Sequence, residues 1–177
     1  MILLVVGPSG AGKDSLLSAA REVFRGDARI SFVRRVITRP PDAGAEDHEP
    51  ATEAEFAARD FALSWSTHGL RYGIPAEAIK AAPVVVANVS RGVIAEAASR
   101  YAVSVIEVTA PPDVLAARLA ARGRESAGDV ASRLSRVVAI PGDVPLTTVM
   151  NDGSLAQGVE RFVAAIRLGL ADADNAA

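Results

Sequence analysis

Gly7-Pro8-Ser9-Gly10-Ala11-Gly12-Lys13 has the spacing G-x-x-x-x-G-K and directly follows the apolar run Met1–Val6. The apolar run predicts a short parallel strand buried on both faces, and Asp14–Phe24 predicts a helix. Glycines let backbone N–H groups converge on phosphate oxygens, and a helix N-terminus adds positive potential. Strand, loop and helix together are the context that this motif requires. The stretch therefore predicts an ATP site in which Lys13 contacts the β- and γ-phosphates. The predicted ATP-binding residues are Gly7, Pro8, Ser9, Gly10, Ala11, Gly12, Lys13, Asp14 and Ser15.

The residue after Lys13 departs from the usual motif. A serine or threonine normally stands there and binds Mg²⁺ through its hydroxyl, whereas this chain has Asp14 followed by Ser15. A carboxylate is also a hard oxygen ligand for Mg²⁺, so we predict Asp14 and Ser15 as the metal-binding residues. An acidic residue is equally favoured in the first turn of any helix, and in that case phosphates and water hold the metal.

The bulk properties limit the class of protein. A length of 177 residues suits a single domain, residues 1–177. The net charge of -2 argues against bulk binding of nucleic acid or of an anionic membrane. The absence of cysteine excludes disulfides and thiolate metal sites. Six apolar residues before a glycine loop are too few for a signal peptide or a membrane span, and we expect a cytoplasmic protein whose oligomeric state the sequence does not indicate.

Lysine is rare in this chain. Lys13 and Lys80 are the only two lysines among the 19 basic residues, and the other 17 are arginines. This composition is typical of a genome that favours arginine and alanine codons. Against such a background, a lysine at position 13 indicates a chemical requirement.

Strand and helix patterns alternate after the loop. Further strands are predicted at Ile30–Ile37, Val84–Asn88, Ser104–Thr109 and Thr147–Asn151. Helices are predicted at Glu53–Arg59 with Thr52 as its N-cap, Pro75–Ala82, Val93–Arg100, Pro112–Arg122, Ser126–Val138 and Leu155–Leu170, followed by a frayed tail, 171–177. Alternation of this kind predicts an α/β fold with a five-stranded parallel sheet flanked by helices. We expect the first strand at its centre and the glycine loop at its carboxyl edge.

Several further segments form a recognisable set. They are Arg35-Val36-Ile37-Thr38-Arg39-Pro40 with Glu46 and His48, the run Trp65–Pro75, Asn88-Val89-Ser90-Arg91, the arginine-rich stretch from Arg118 through Arg122, Arg124 and Arg133, and the turn Asn151-Asp152-Gly153. In their order and spacing the chain resembles the guanylate-kinase-like group of P-loop kinases, and within it the ribose 1,5-bisphosphate phosphokinases of phosphonate breakdown. The resemblance covers almost the whole chain and includes the unusual Asp14.

The resemblance implies a nucleoside-monophosphate-kinase-like fold with a small acceptor-binding insertion, about residues 35–82, and an arginine-rich lid, about residues 118–136. It implies phosphorylation of ribose 1,5-bisphosphate by ATP and Mg²⁺ to give 5-phosphoribosyl diphosphate (PRPP) and ADP, in phosphonate catabolism and in PRPP and NAD biosynthesis. The implied catalytic residues are Lys13, Arg118, Arg124 and Arg133. Those implied for the acceptor are Arg35, Arg39, His68, Tyr72 and Arg91, and Asn151 and Asp152 are implied near the adenine.

The chain departs from a true guanylate kinase at the positions that read guanine. That family has a glutamate before the Trp-like position and a serine or threonine after Tyr-Gly, where this chain has Ser64 and Ile74. A base-reading site that lacks its polar partners loses specificity, so GMP is a poor candidate acceptor. Two other classes stay open at this point: another small-molecule or nucleoside-monophosphate kinase such as guanylate kinase, and a nucleotide-binding or protein-interaction module without catalysis.

Overall fold

Five parallel strands form the main sheet of the computed structural model, which describes residues 1–40, 47–121 and 139–175. The strands of the described residues are β1 (Ile2–Val6), β2 (Ile30–Phe32), β3 (Arg35–Ile37), β4 (His48–Pro50), β5 (Phe61–Thr67), β6 (Leu70–Pro75), β7 (Val84–Asn88), β8 (Val103–Thr109) and β9 (Leu146–Met150). The main sheet has the order β2-β7-β1-β8-β9, and every neighbouring pair is parallel. The predicted parallel α/β sheet with the first strand at its centre is confirmed.

The helices flank this sheet. Those of the described residues are α1 (Lys13–Val23), α2 (Glu53–Ala57), α3 (Ile94–Arg100), α4 (Pro112–Ala121) and α5 (Leu155–Asn175). None of them is both long enough and apolar enough to cross a membrane. Thr52 caps α2 as predicted, because its hydroxyl accepts a hydrogen bond from Glu55 N while the Glu55 carboxylate accepts one from Thr52 N.

A second sheet of four strands, in the order β4-β3-β6-β5, occupies residues 35–75. Here β3 runs parallel to β4 and antiparallel to β6, and β5 pairs antiparallel with β6. The predicted single strand Ile30–Ile37 is wrong, because the chain leaves the main sheet after Phe32 and enters the second sheet at Arg35. The sequence places this second sheet inside the stretch assigned to the acceptor.

Two other predictions of local structure are wrong. The helix predicted over Pro75–Ala82 is only a 3₁₀ turn, Ala78–Lys80, because Pro75 is the last residue of β6 and not a helical first turn. The tail predicted to fray is helical as far as Asn175, where α5 continues five residues beyond Leu170. The helix predicted at Ser126–Val138 lies outside the described residues.

Strand β1 is apolar throughout because it is covered on both faces. Leu3 and Val5 belong to one hydrophobic core, which includes side chains of α1 and α5. Ile2, Leu4 and Val6 belong to a second core, which includes α3 and the side chains of Leu63 and Ile74 from the second sheet. Alternate residues of one strand therefore hold both layers together, and they fix where the loop after Val6 emerges.

Helix α5 lies close to β1 because it carries a glycine at the contact. A Cβ atom added to the buried Gly169 would lie 2.6 Å from Leu3 Cδ2. Leu3 is itself 1% exposed and has no room to withdraw. Small size at position 169 is therefore part of the packing of the central strand.

We predict that Gly169→Ala destabilises the protein. Overpacking of a filled core costs typically about 1–3 kcal/mol, which exceeds the gain of about 1 kcal/mol from higher helix propensity. Urea unfolding should reveal a net loss of stability. Gly142→Ala is the matched control, because a Cβ there meets nothing within 4 Å, and it should change stability by less than about 0.5 kcal/mol. Equal stability of both variants would contradict this account of the packing.

Candidate active site

The glycine loop has a backbone that other residues cannot adopt at its critical positions. Gly7 has φ 148°, and a Cβ atom there would lie 2.0 Å from the carbonyl oxygen of Val108 on the neighbouring strand β8. Gly12 has φ 86° in the left-handed region and is the N-cap of α1. The loop thus leaves β1 tightly against β8 and turns sharply into α1, so that the N-terminus of the helix faces the loop.

Lys13 lies over its own loop. Its Nζ atom donates hydrogen bonds to the carbonyl oxygens of Gly7, at 2.8 Å, and Pro8, at 3.0 Å. The ammonium group is therefore held at the mouth of the loop, beside the helix N-terminus. An anion bound here would meet a full positive charge as well as the helix dipole.

Asn151 anchors the loop from the other end of the chain. Its side chain is 5% exposed, and its Nδ2 atom donates a hydrogen bond of 2.8 Å to the carbonyl oxygen of Ala11. The side chain fits between two glycines, since a Cβ at Gly12 would lie 2.6 Å from Asn151 Nδ2 and one at Gly158 would lie 2.3 Å from Asn151 Oδ1. A side chain buried in this way supports the loop and is not exposed to contact an adenine.

Arg118, predicted as catalytic, and Asp152, predicted near the adenine, both lie around Asn151. Arg118 on α4 donates a hydrogen bond of 2.9 Å from its guanidinium to the carbonyl oxygen of Asn151. Asp152 is exposed and accepts a hydrogen bond of 2.8 Å from Arg161, which lowers the pKa of its carboxyl group. Arg124 and Arg133, predicted for the transferring phosphates, lie outside the described residues, as does Glu46.

A cleft of about 240 Å³ separates the loop from the second sheet. The loop side contributes Lys13, Asp14 and the glycines, and the ends of the main-sheet strands contribute Asn88 and Ser90. The second sheet contributes Arg35, Trp65, Thr67 and Tyr72. The structure thus brings together the predicted residues Lys13, Asp14, Arg35 and Tyr72. Ser15 is exposed on α1 and is not among the described residues that line this cleft.

Arg35 and two aromatic rings form the far wall. The rings of Trp65 and Tyr72, directly opposite each other on β5 and β6, are stacked with centroids 5.5 Å apart and an interplanar angle of 7°. The Arg35 guanidinium lies 5.7 Å from the centroid of the Tyr72 ring, within the range of a cation–π interaction. This wall offers a positive charge and flat apolar faces, which suit a phosphate and a sugar ring.

Trp65 and Thr67 line the cleft, but neither was predicted individually as a site residue, although both lie in the run Trp65–Pro75. The signal that would have found them is strand alternation: Trp65 and Thr67 share one face of β5, and the exposed Ser64 and Ser66 lie on the other. Ser64 therefore does not face the cleft, and Ile74 is fully buried in the second core. Ser64 and Ile74, the two positions that differ from guanylate kinase, therefore lie outside the described cleft wall.

Three predicted acceptor residues lie away from the cleft lining. Arg91 is ion-paired with Glu107, and both side chains are about four-fifths buried. Arg39 contacts the ring of the buried His48, with Nη2 3.3 Å from Nδ1, and lines a different surface pocket. His68 is exposed at the tip of the β5–β6 turn, where its φ is 52°. None of the three belongs to the described lining of the cleft.

A smaller cavity of about 120 Å³ adjoins the cleft and shares Asp14, Arg35 and Asn88 with it. Asp47 lies in its wall and accepts hydrogen bonds from Arg21, at 2.8 Å, and from Arg34, at 2.7 Å. The hydrogen bond from Arg21 is the main reason why the pKa of Asp47 is lowered. These ion pairs join α1 to the segment that leads into the second sheet, and they occupy both arginines.

Comparison with known proteins gives relatives of high similarity. A ribose 1,5-bisphosphate phosphokinase of Methylobacterium radiotolerans is 48% identical over 174 residues, covering 94% of this chain and 97% of the relative. One of Acidiphilium cryptum is 55% identical over 141 residues, 78% of this chain and 77% of the relative. A bifunctional ribose 1,5-bisphosphokinase-thymidine phosphorylase of Cupriavidus necator is 53% identical over 174 residues, but this chain spans only 29% of its length. No protein-family model matches the chain.

Solved structures share the fold. A guanylate kinase from Anaplasma phagocytophilum superimposes with a TM-score of 0.66 at 16% identity, covering 96% of this chain and 86% of the other. A gluconokinase from Sinorhizobium meliloti gives a TM-score of 0.51 at 20% identity over 98% and 94% of the two chains. At these identities the likeness establishes the architecture of P-loop kinases and does not identify an acceptor.

We predict that Asn151→Ala weakens both the fold and the loop. Removal of the amide leaves the buried Ala11 carbonyl without its partner, which costs about 1–3 kcal/mol. Urea unfolding should report this loss, and calorimetry should report weaker binding of a nucleoside triphosphate.

The matched control is the next residue, Asp152→Ala. Its side chain is exposed and its ion pair with Arg161 is screened by water, so the change should leave the urea midpoint close to the wild-type value. If the urea midpoint of Asn151→Ala matched that of Asp152→Ala, the buried hydrogen bond would not be what anchors the loop.

Proposed function

Because the chain belongs to the family of ribose 1,5-bisphosphate phosphokinases, we propose that its cleft transfers the γ-phosphoryl group of ATP to the 1-phosphate of ribose 1,5-bisphosphate. The products are 5-phosphoribosyl diphosphate and ADP. We assign the reaction to phosphonate catabolism, the role that the family resemblance implies.

One observation of the structure carries the proposal. Two groups suited to anions face each other across a single cleft: Lys13 with the N-terminus of α1 on one side, and Arg35 with the Trp65–Tyr72 stack on the other. A donor triphosphate on the loop and an acceptor phosphate at Arg35 would therefore approach each other. Such positioning is the main requirement of phosphoryl transfer.

The chemistry needs no strong general base. An oxygen of the acceptor 1-phosphate, already anionic, forms a new bond to the γ-phosphorus while the bond from that phosphorus to the β–γ bridging oxygen breaks. The electron pair of the broken bond leaves with ADP. Lys13 and the loop N–H groups stabilise the charge on the donor phosphates, and Arg35 holds the acceptor phosphate in line.

Asp14 is the residue that suits Mg²⁺ best. It lines the cleft beside Lys13, whereas Ser15 does not, so the geometry favours Asp14 of the two predicted metal ligands. The described residues contain no group of three or more histidine or acidic side chains that could hold a metal ion. This fits a cation held by few protein oxygens and by ATP, and the bound ion would neutralise charge on the β- and γ-phosphates.

The acceptor side of the proposal is smaller than the sequence analysis suggested. It comprises Arg35, Tyr72, Trp65 and Thr67. Arg91 is left out because moving it to a substrate would leave Glu107 without its buried partner. The assignment of Arg124 and Arg133 to the transferring phosphates stays a prediction from the sequence.

Guanylate kinase activity is not favoured. Strands β5 and β6 contribute an indole, a hydroxyl and a phenol to the described cleft wall, and no carboxylate. Guanine bound against this wall would leave polar edge groups unpaired, and such mismatches lower kcat/KM strongly.

We predict that ribose 1,5-bisphosphate is used with a kcat/KM about 10⁴-fold above that of GMP, because a site that leaves a base without its polar partners rejects it to this extent. The purified protein is incubated with ATP-Mg²⁺ and each acceptor, and the products are identified by mass. Efficient formation of GDP without 5-phosphoribosyl diphosphate would contradict the proposal.

We predict that Lys13→Met lowers kcat at least about 10²-fold, the loss expected when one stabilising charge is removed from the transition state. The fold should persist, as measured by urea unfolding, since the ammonium group lies at the cleft. The only other lysine provides the control: Lys80 is exposed, and Lys80→Met should keep the wild-type turnover. Wild-type turnover in a folded Lys13→Met protein would remove the loop from the mechanism.

A further inference from the structure

Asn88 lies at the point where the main sheet meets the glycine loop. It is the last residue of β7, pairs with Val5 of β1, and is 7% exposed. Its Nδ2 atom donates a hydrogen bond of 3.2 Å to Oδ1 of Asp14, in the first turn of α1. Asn88 and Asp14 both line the cleft that contains Lys13.

The orientation of the Asn88 amide follows from its partner. An ionised carboxylate can only accept hydrogen bonds, so the NH₂ group must face Asp14 and the amide oxygen must face elsewhere. That oxygen, Oδ1, is buried and has no hydrogen-bond partner among the residues that the structure describes. A buried acceptor without a donor is unfavourable, so a donor from a ligand or from its bound water would complete this site.

Asp14 and Asn88 offer the same two kinds of oxygen as an ordinary P-loop metal site, one charged and one neutral, but the two kinds have exchanged positions. In such enzymes the residue after the lysine is a serine or threonine, and an aspartate from the sheet provides the charge. Here Asp14 carries the charge directly after Lys13, and the neutral oxygen belongs to Asn88 at the end of the strand beside β1. The pair keeps one carboxylate and one neutral oxygen.

We infer that Asp14 and Asn88 act as one exchanged metal-binding pair, in which Asp14 attracts the hydrated Mg²⁺ of ATP-Mg²⁺ and Asn88 Oδ1 accepts a hydrogen bond from its water. The inference deepens the proposed function and rests on it for the identity of the nucleotide. Mg²⁺ keeps several of its waters in proteins, so a neutral acceptor beside a carboxylate suits it. Asn88 is a positioning residue, since it holds Asp14 and the hydrated ion and does not touch the reacting phosphorus.

The exchange has a distinctive consequence for single and double variants. Asp14→Ser alone removes the only carboxylate of the pair. Asn88→Asp alone adds a second carboxylate to the site and removes the amide that holds Asp14. The double variant Asp14→Ser/Asn88→Asp restores one carboxylate and one neutral oxygen in the usual order.

The experiment measures Mn²⁺ affinity by electron paramagnetic resonance, with the folded full chain and a non-hydrolysable ATP analogue. Asp14→Ser should weaken Mn²⁺ binding about 10- to 100-fold, the usual effect of losing a residue that orients a metal site, whereas Asn88→Asp, which adds a carboxylate, should not weaken it. The double variant should recover most of that loss. A double variant that binds Mn²⁺ no better than Asp14→Ser, or unchanged Mn²⁺ affinity in Asp14→Ser, would overturn the inference.

Asp14→Asn keeps the size of the side chain, so we expect this variant to fold like the wild type. It removes only the charge, so Mn²⁺ affinity should fall about 10-fold or more while the urea midpoint stays at the wild-type value. Unchanged Mn²⁺ affinity in this variant would mean that Asn88 merely fastens the first turn of α1, and would overturn the inference. The titration contains no acceptor, so failure of ribose 1,5-bisphosphate as a substrate is detected separately in the acceptor assay.

Discussion

The hydrogen bond from the Asn151 amide to the Ala11 carbonyl is the interaction on which the site depends. It joins residues 140 positions apart in sequence and is buried. The glycine loop is short, turns through conformations that cost entropy to hold, and is joined to β1 only at one end of the strand. An anchor from the last strand of the sheet fixes the other side of the loop against α5, so the phosphate site exists only when the whole sheet has formed.

This anchor also explains why glycine is needed at two distant places. Gly12 and Gly158 lie on either side of the Asn151 side chain, too close for a Cβ atom at either position. The loop motif accounts for Gly12 through backbone conformation, but only the tertiary structure accounts for Gly158. Arg118, which donates a hydrogen bond to the Asn151 carbonyl, adds the last turn of α4 to the same assembly.

The fold was predictable from the sequence where local and tertiary preferences agree. An apolar run followed by a glycine loop and a helix has one common solution, and the buried strands at Val84–Asn88 and Val103–Thr109 read clearly because both of their faces are covered. The second sheet was harder to predict. Its strands β3 and β4 have three residues each, too few for a period-2 pattern to emerge, and the change of sheet between Phe32 and Arg35 leaves no turn signal.

The site was predictable in part for a related reason. Lys13 and Asp14 follow from a contiguous motif, so their positions relative to the phosphate loop are fixed by the backbone. Arg39, His68 and Arg91 were assigned by resemblance alone, and the position of an arginine in sequence does not reveal its ion-pair partner. Trp65 was missed because its pairing with Tyr72 lies across two strands, and a large aromatic residue reads as core until the cleft beside it is known.

The positive charge available to a ligand in the cleft depends on which arginines are already ion-paired, and not only on how many arginines lie near it. Of the basic side chains near the site, Arg21 and Arg34 are paired with Asp47, and Arg91 is paired with Glu107. A donor triphosphate and an acceptor bisphosphate bring far more negative charge than Lys13 and Arg35 bring positive charge. Since like charges repel each other strongly at short range, a divalent cation bound at Asp14, as proposed above, would lower the cost of bringing the two phosphates together. The carboxylate of Asp14 would repel a nucleotide alone and would become favourable once that cation is present, so under this proposal the metal contributes to binding as well as to catalysis.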